Sequence, residues 1–324
     1  PAILADIALG YVVYRIASKQ IGKNLAAAAG ALLLFSPILI LNSAAWGQVD
    51  SIFLLPLIGC IYYLQQNRHI LASAYWMLAL LLKPQALLVA PLIGVVILLD
   101  LFGTKGEWKR KAGKVLGCIA AMSAVYLALA LPMQGEQDVL YAIRRCLNTA
   151  GSYDYASMNA FNFCALLGGN FVSQNSLVFG VSFKTLGISG IVLVILLVAF
   201  LYWKRREREN LFLLSAILLG GIFTFGHMMH ERYIILAIGL ALLAALQKDN
   251  RRLLLSATAF CAIGFLNIYL VLQFGADRVY DWAIRLLSLA EVAGYIWFTA
   301  EAIRQIWTGK RIPLAPVQEV FTPL

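Results

Sequence analysis

The sequence predicts an all-α, polytopic membrane protein, and three observations predict it. Hydrophobic residues fill 61% of the 324 positions and charged residues only 13%, where soluble domains average about half and about a quarter. Mean hydropathy is +0.80. The apolar residues also gather into about eleven runs near the ~17–25 residues that a spanning helix needs. Finally, the connections between runs alternate in charge, and every strongly basic one falls on the same side, as the positive-inside rule requires. That placement explains the net charge of +10 by topology and excludes nucleic acid as a partner.

Taken in order, the passes are residues 1–16, which exit at Lys19 and Lys23, then 25–41 and 51–64, which returns to Arg68. Residues 70–82 and 86–102 follow, separated by Lys83-Pro84-Gln85. Pro84 removes an amide donor and disfavours helix at the residue before it, so a break belongs there. A basic connection through Lys105 and Lys114 leads to residues 115–131 and then to a polar external connection over residues 132–186. The seventh pass ends at Trp203 before Lys204 to Arg208, and residues 211–225 and 234–246 flank a histidine cluster. Lys248, Arg251 and Arg252 precede residues 253–272; an external stretch with Arg278 precedes 287–306. We therefore expect one transmembrane domain over residues 1–311 and a cytoplasmic tail over 312–324. The chain starts inside an apolar segment at Pro1, so further helices are expected upstream.

Two polar stretches interrupt runs too short to span ~30 Å of hydrocarbon alone. Both are expected to start below the membrane surface, where polar backbone is tolerated when it lines a cavity. One is Gly226-His227-Met228-Met229-His230-Glu231-Arg232-Tyr233, which holds two of the three histidines. On a helix His227, His230 and Glu231 would share one face. Their order fits neither histidine–glutamate pattern of the metallopeptidases. Interfacial snorkelling of His and Arg is the plain alternative. An anion site is the better reading, with the Arg232 fork on phosphate oxygens, His230 donating and Glu231 orienting. The second stretch places Lys83 at similar depth as another phosphate contact, beside Gln85.

Trp46-Gly47-Gln48-Val49-Asp50 combines a flat ring, an amide and a carboxylate, which suits a sugar, although Asp50 could equally cap a helix. Asn159 and Asn162 are further amide candidates, and Asp6, inside the first pass, is a default functional suspect. Arg144 and Arg145 are weaker ones. Cys60, Cys118 and Cys261 read as packing residues, whereas Cys146 and Cys164 share one external segment and leave a disulfide open.

With these stretches in order, the chain resembles the membrane-embedded GT-C glycosyltransferases, specifically bacterial relatives of the second mannosyltransferase of GPI-anchor assembly. The resemblance rests on residues 1–6, 46–50, 82–85, 157–162 and 230–233. It implies transfer of a hexose, mannose in the favoured case, from a polyprenyl-phosphate donor to a glycan, lipid or protein acceptor, with inversion. It places the active face outward in a bacterial cytoplasmic membrane. His230, Glu231 and Arg232 match the motif that approaches the donor phosphate, with Lys83 and His227 beside it. Trp46, Gln48, Gln85, Asn159, Asn162 and Asp6 would hold sugar or acceptor. The main catalytic carboxylate of such enzymes lies upstream of the stretch matching Pro1, so Asp50 is the one in-chain base. No metal and no cofactor is called for; membrane lipid and the lipid-linked donor are the partners. The reading from another class is a transporter or flippase of lipid-linked saccharides, which would need polar lining at both faces.

Overall fold

The computed structural model describes residues 1–102, 108–149, 153–275 and 280–314. The helices are α1 (Ala2–Ile21), α2 (Lys23–Leu34), α3 (Pro37–Leu39), α4 (Asp50–Gln65), α5 (His69–Leu82), α6 (Ala90–Phe102) and α7 (Trp108–Leu129). After them come α8 (Tyr141–Thr149), α9 (Phe163–Leu166), α10 (Phe183–Arg205), α11 (Leu211–Phe225), α12 (Ile234–Gln247), α13 (Arg251–Phe274) and α14 (Asp281–Thr308). Two-residue strands β1 (Ser157–Met158), β2 (Leu177–Val178), β3 (Val181–Ser182) and β4 (Met229–His230) lie at one end.

The predicted runs fall largely on helix, the second being broken at Phe35 and Ser36 between α2 and α3. Among the described residues, seven helical segments are long and apolar enough to cross a bilayer, fewer than the eleven expected. α4 and α5 are shorter apolar helices, α12 has 14 residues, and α1 carries Asp6, Arg15 and Lys19. The protein is a multi-pass helical membrane protein. One expectation of shortness needs correcting: a 3-10 turn at Arg208–Asn210 extends α11 to a spanning length.

At one end Gln65 pairs with Gln247 at 3.1 Å, Arg208 reaches the Leu64 carbonyl at 3.0 Å, and Asn250 meets Gln305. His69 and Arg208 converge on Asp100 at 2.8 and 2.7 Å. Among the described residues, Lys19, Arg208, Lys248 and Arg311 of the predicted basic connections lie at this end, and the histidine cluster lies at the other. α11 and α12 are buried over almost their whole length, which is why they are apolar on all sides. α1, α4, α10, α13 and α14 pack around them, with α2 against α1, α6 touching α11, and α5 and α7 adjoining. α1 and α2 meet where Gly30 faces the Gly10 carbonyl; a Cβ on Gly30 would sit 2.7 Å from that oxygen.

The break at Lys83 forms as expected. Lys83 is extended (φ −155°, ψ 127°), Pro84 opens a 3-10 turn over Pro84–Val89, and α6 follows. Of the expected tail, residues 315–324 lie outside the described residues, as do Lys105 and Arg278.

Candidate functional site

α11 ends because Gly226 turns extended while its amide still donates to Ile222 O at 2.8 Å. Met228 then takes a left-handed φ of 61°, uncommon for a side chain of that size. Its amide donates to Ala156 O at 3.0 Å. β4 pairs in parallel with β1, bringing Met158 opposite His230, and a 3-10 turn over Glu231–Tyr233 leads into α12. The histidine stretch is therefore not helical, and His227 and His230 do not share a helical face. His227 packs on α10, so closely that a Cβ at Gly187 would lie 2.7 Å from its ring Nδ1. Burial, and after it the charge of Lys184, depress its pKa. His230 stands edge-on to Tyr153 and Tyr233, at 5.0 and 5.3 Å between ring centres.

Glu231 is 3% exposed and holds two neighbours: Arg232 Nη1 donates to its Oε1 at 3.3 Å, and His230 Nδ1 lies 3.9 Å from Oε2. Lys83 Nζ and the Arg232 guanidinium carbon each sit 5.9 Å from the Tyr233 ring centre, within reach of a cation–π attraction. Gln85 is in hydrogen-bond contact with the Tyr233 hydroxyl. The break before Pro84 and the turn before α12 thus converge on one aromatic ring.

Lys83 is also the ion-pair partner of Asp50. Asp50 is 1% exposed and accepts a further bond from Asn42 Nδ2 at 3.3 Å. It is the first residue of α4 and makes no capping bond, so the cap alternative falls away. Asn42 comes from a π-helical turn over Ile40–Ala45, a distortion frequent at functional sites. The next residue, Ser43, donates to Asp6 Oδ1 at 3.1 Å, and Ser51 donates to the same oxygen. One turn thereby anchors both buried carboxylates. After these pairings His230 Nε2, Arg232 Nε, Gln85 Oε1 and Asn42 Oδ1 remain buried without a partner among the described residues.

Three expected sugar contacts are engaged in packing or in bonds that hold the backbone. Asn162 is fully buried; it caps α9 through Ala165 N at 3.2 Å and donates to Phe223 O and Gly226 O at 2.9 and 3.0 Å. Asn159, left-handed at φ 59°, is tied to Asn170, whose Oδ1 takes the Asn159 amide at 2.8 Å. Trp46 packs against Phe161, Ala165, Val271 and Ile284. Gln48 is half-buried, and its backbone amide donates to Asn42 O at 2.9 Å. Arg144 pairs with Asp138 at the surface. Cys146 and Cys164 are free thiols, one near Leu80 O and the other near Gly226 O. Burial pushes the Cys164 thiol up to about 12.

Asn42, Asn170 and Asn267 carry roles the sequence reading missed. Asn267 on α13 accepts from Phe161 N at 3.0 Å and donates to Asn159 O at 2.8 Å, clamping the segment that follows β1, the strand paired with β4. A lone amide inside an apolar pass was the available signal. Among the described residues no three His, Cys, Asp or Glu converge at metal-binding spacing. No family model matches the chain, and no curated protein matches it. Fold and site together define a multi-pass helical membrane protein with two cation–carboxylate pairs around one half-buried tyrosine.

Proposed function

We propose that this chain is a polyprenyl-phosphate-dependent glycosyltransferase, moving a hexose, mannose in the favoured case, to a glycan, lipid or protein acceptor. The observation that carries the proposal is the convergence of Lys83 and Arg232, from separate breaks in the helical frame, on the two-cation setting of Tyr233. A pair of cations beside unpartnered donors, next to apolar helices, suits a lipid phosphate. The resemblance at residues 230–233 supports the same role.

In this reading the donor phosphate meets Arg232 and His230 first and then draws Lys83 away from Asp50. Asp50, released from its ion pair, takes the proton as the acceptor oxygen attacks the anomeric carbon from the face opposite the phosphate. The bond from that carbon to the phosphate oxygen breaks, and the electron pair leaves with the phosphate, which the cations stabilise. One displacement inverts the configuration. The donor is both substrate and sole activated group, so no cofactor takes part. The active face is the histidine end, outward in a bacterial cytoplasmic membrane.

The test uses full-length protein in membrane vesicles with labelled polyprenyl-phosphate mannose and mixed acceptors. Release of polyprenyl phosphate is expected, and Arg232→Ala should reduce it by about 10²-fold or more. Unchanged release in that variant overturns the proposal, as does movement of chemically intact donor across the bilayer, which would mark a transporter.

A further inference from the structure

A second polar group lies inside the frame, away from the two ion pairs. The buried face of α14 carries Ser288, Glu291, Tyr295 and Thr299, spaced three and four apart as on one helical stripe. Glu291 is 2% exposed within a segment long and apolar enough to cross the membrane. An ionisable side chain at such depth is costly and is a functional suspect by default.

Its surroundings fix where its proton sits. Thr224 Oγ1 on α11 lies 2.8 Å from Glu291 Oε1 and 2.8 Å from Gly220 O. A hydroxyl has one hydrogen to give. With an ionised Glu291, two acceptors would compete for it, and a buried charge would stand without a counter-ion. Among the described residues no ion pair involves Glu291. α13 offers Phe260 near Gly294 of this face, α9 carries Cys164, and Tyr295 spends its hydroxyl on Ile217 O at 3.0 Å. With a protonated Glu291 one chain of donors works: the carboxyl donates to Thr224 and Thr224 donates to Gly220 O.

The chain ends where the site begins. Thr224 is the last residue but one of α11. The neighbouring Phe223 and Gly226 carbonyls hold Asn162 at 2.9 and 3.0 Å, and Gly226 opens the turn that carries His227 to Arg232. We propose that Glu291 is a positioning residue: as a neutral carboxylic acid it donates to Thr224 and fixes the end of α11 from which the histidine turn departs. The positioning half rests on that turn being the phosphate site; the proton half does not.

The test has two arms on the full-length protein in lipid. Infrared difference spectra of wild type against Glu291→Gln, at neutral pH, should show the carbonyl band of a protonated carboxylic acid in the wild type alone. Affinity for polyprenyl phosphate should stay within about twofold in Glu291→Gln, whose amide can donate. It should fall about tenfold in Glu291→Leu and Thr224→Val, the effect of one lost buried hydrogen bond. No protonated-acid band, or equal loss in the Gln and Leu variants, overturns the proposal. A clear band with full affinity in Glu291→Leu overturns the positioning half. Failure of the wild type to bind polyprenyl phosphate would instead sink the phosphate site itself.

Discussion

At the scale of single residues, Asp50 and Lys83 set the energetics of the site. Their side chains are 1% and 14% exposed, and a pair so deep owes little to bulk water. Removing one partner leaves an uncompensated charge, which costs about 3–5 kcal/mol; replacing both with apolar or neutral groups is often close to neutral. We therefore expect Lys83→Met and Asp50→Asn to lower thermal stability in detergent separately, by amounts far from additive, with the double variant recovering most of the loss. Additive single effects would show that the two groups do not share an ion pair. Either residue was visible in the sequence as a charge out of place. Their pairing was not, because it depends on where a π-helical turn ends and how an X-Pro break swings the chain. The structural bonds of Asn159 and Asn162 were hidden for a related reason. An amide beside an aromatic suits both a sugar and a bare backbone, and only the position of Phe223, Gly226 and Asn170 decides between them.

At the scale of elements, hydropathy located every apolar helix, since length and apolarity decide burial in lipid irrespective of tertiary detail. It could not rank them. α11 and α12 read like the other passes, yet they form the buried centre, and their neighbours shield them from lipid. Nor could it see that β1 and β4, whose register starts at Ser157 and Met229, make one unit from two motifs far apart in sequence. The contact of α1 with α2 gives a direct test. Lipid tails are as apolar as leucine, so close backbone approach drives such packing. Gly30→Leu must push its side chain against the Gly10 carbonyl, and overpacking of this kind costs about 1–3 kcal/mol. Gly94 on α6 has open space where a Cβ would go, so Gly94→Ala should be neutral or stabilise by up to about 1 kcal/mol. Melting curves in detergent compare the two, and equal destabilisation would count against the packing described for α1 and α2.

At the scale of the whole molecule, the two ends differ in kind. The basic end closes on itself through pairs such as Gln65 with Gln247 and Lys248 with Glu209, at 3.1 and 3.7 Å. In the 500 Å³ polar cavity there, Lys19 pairs with Tyr62, Asn210 with Glu207, Gln305 with Asn250 and Arg311 with Asp249. The histidine end keeps, among the described residues, buried nitrogens without partners in His230 and Arg232. A carrier of saccharides would need receptive polar groups at both ends, and this asymmetry favours chemistry confined to one. It also requires that the ends lie on opposite sides of a bilayer, with the basic one in the cytosol. Lys23 and Arg206 are exposed at the basic end, and Phe179 is 88% exposed in the turn between β2 and β3. Single cysteines at these positions, in a background freed of the native thiols, should divide by side when sealed vesicles meet a membrane-impermeant maleimide. Right-side-out vesicles should label Phe179→Cys alone; inverted vesicles should label Lys23→Cys and Arg206→Cys. Labelling of all three from one side would remove the topology on which the outward site depends, and the glycosyltransferase proposal with it.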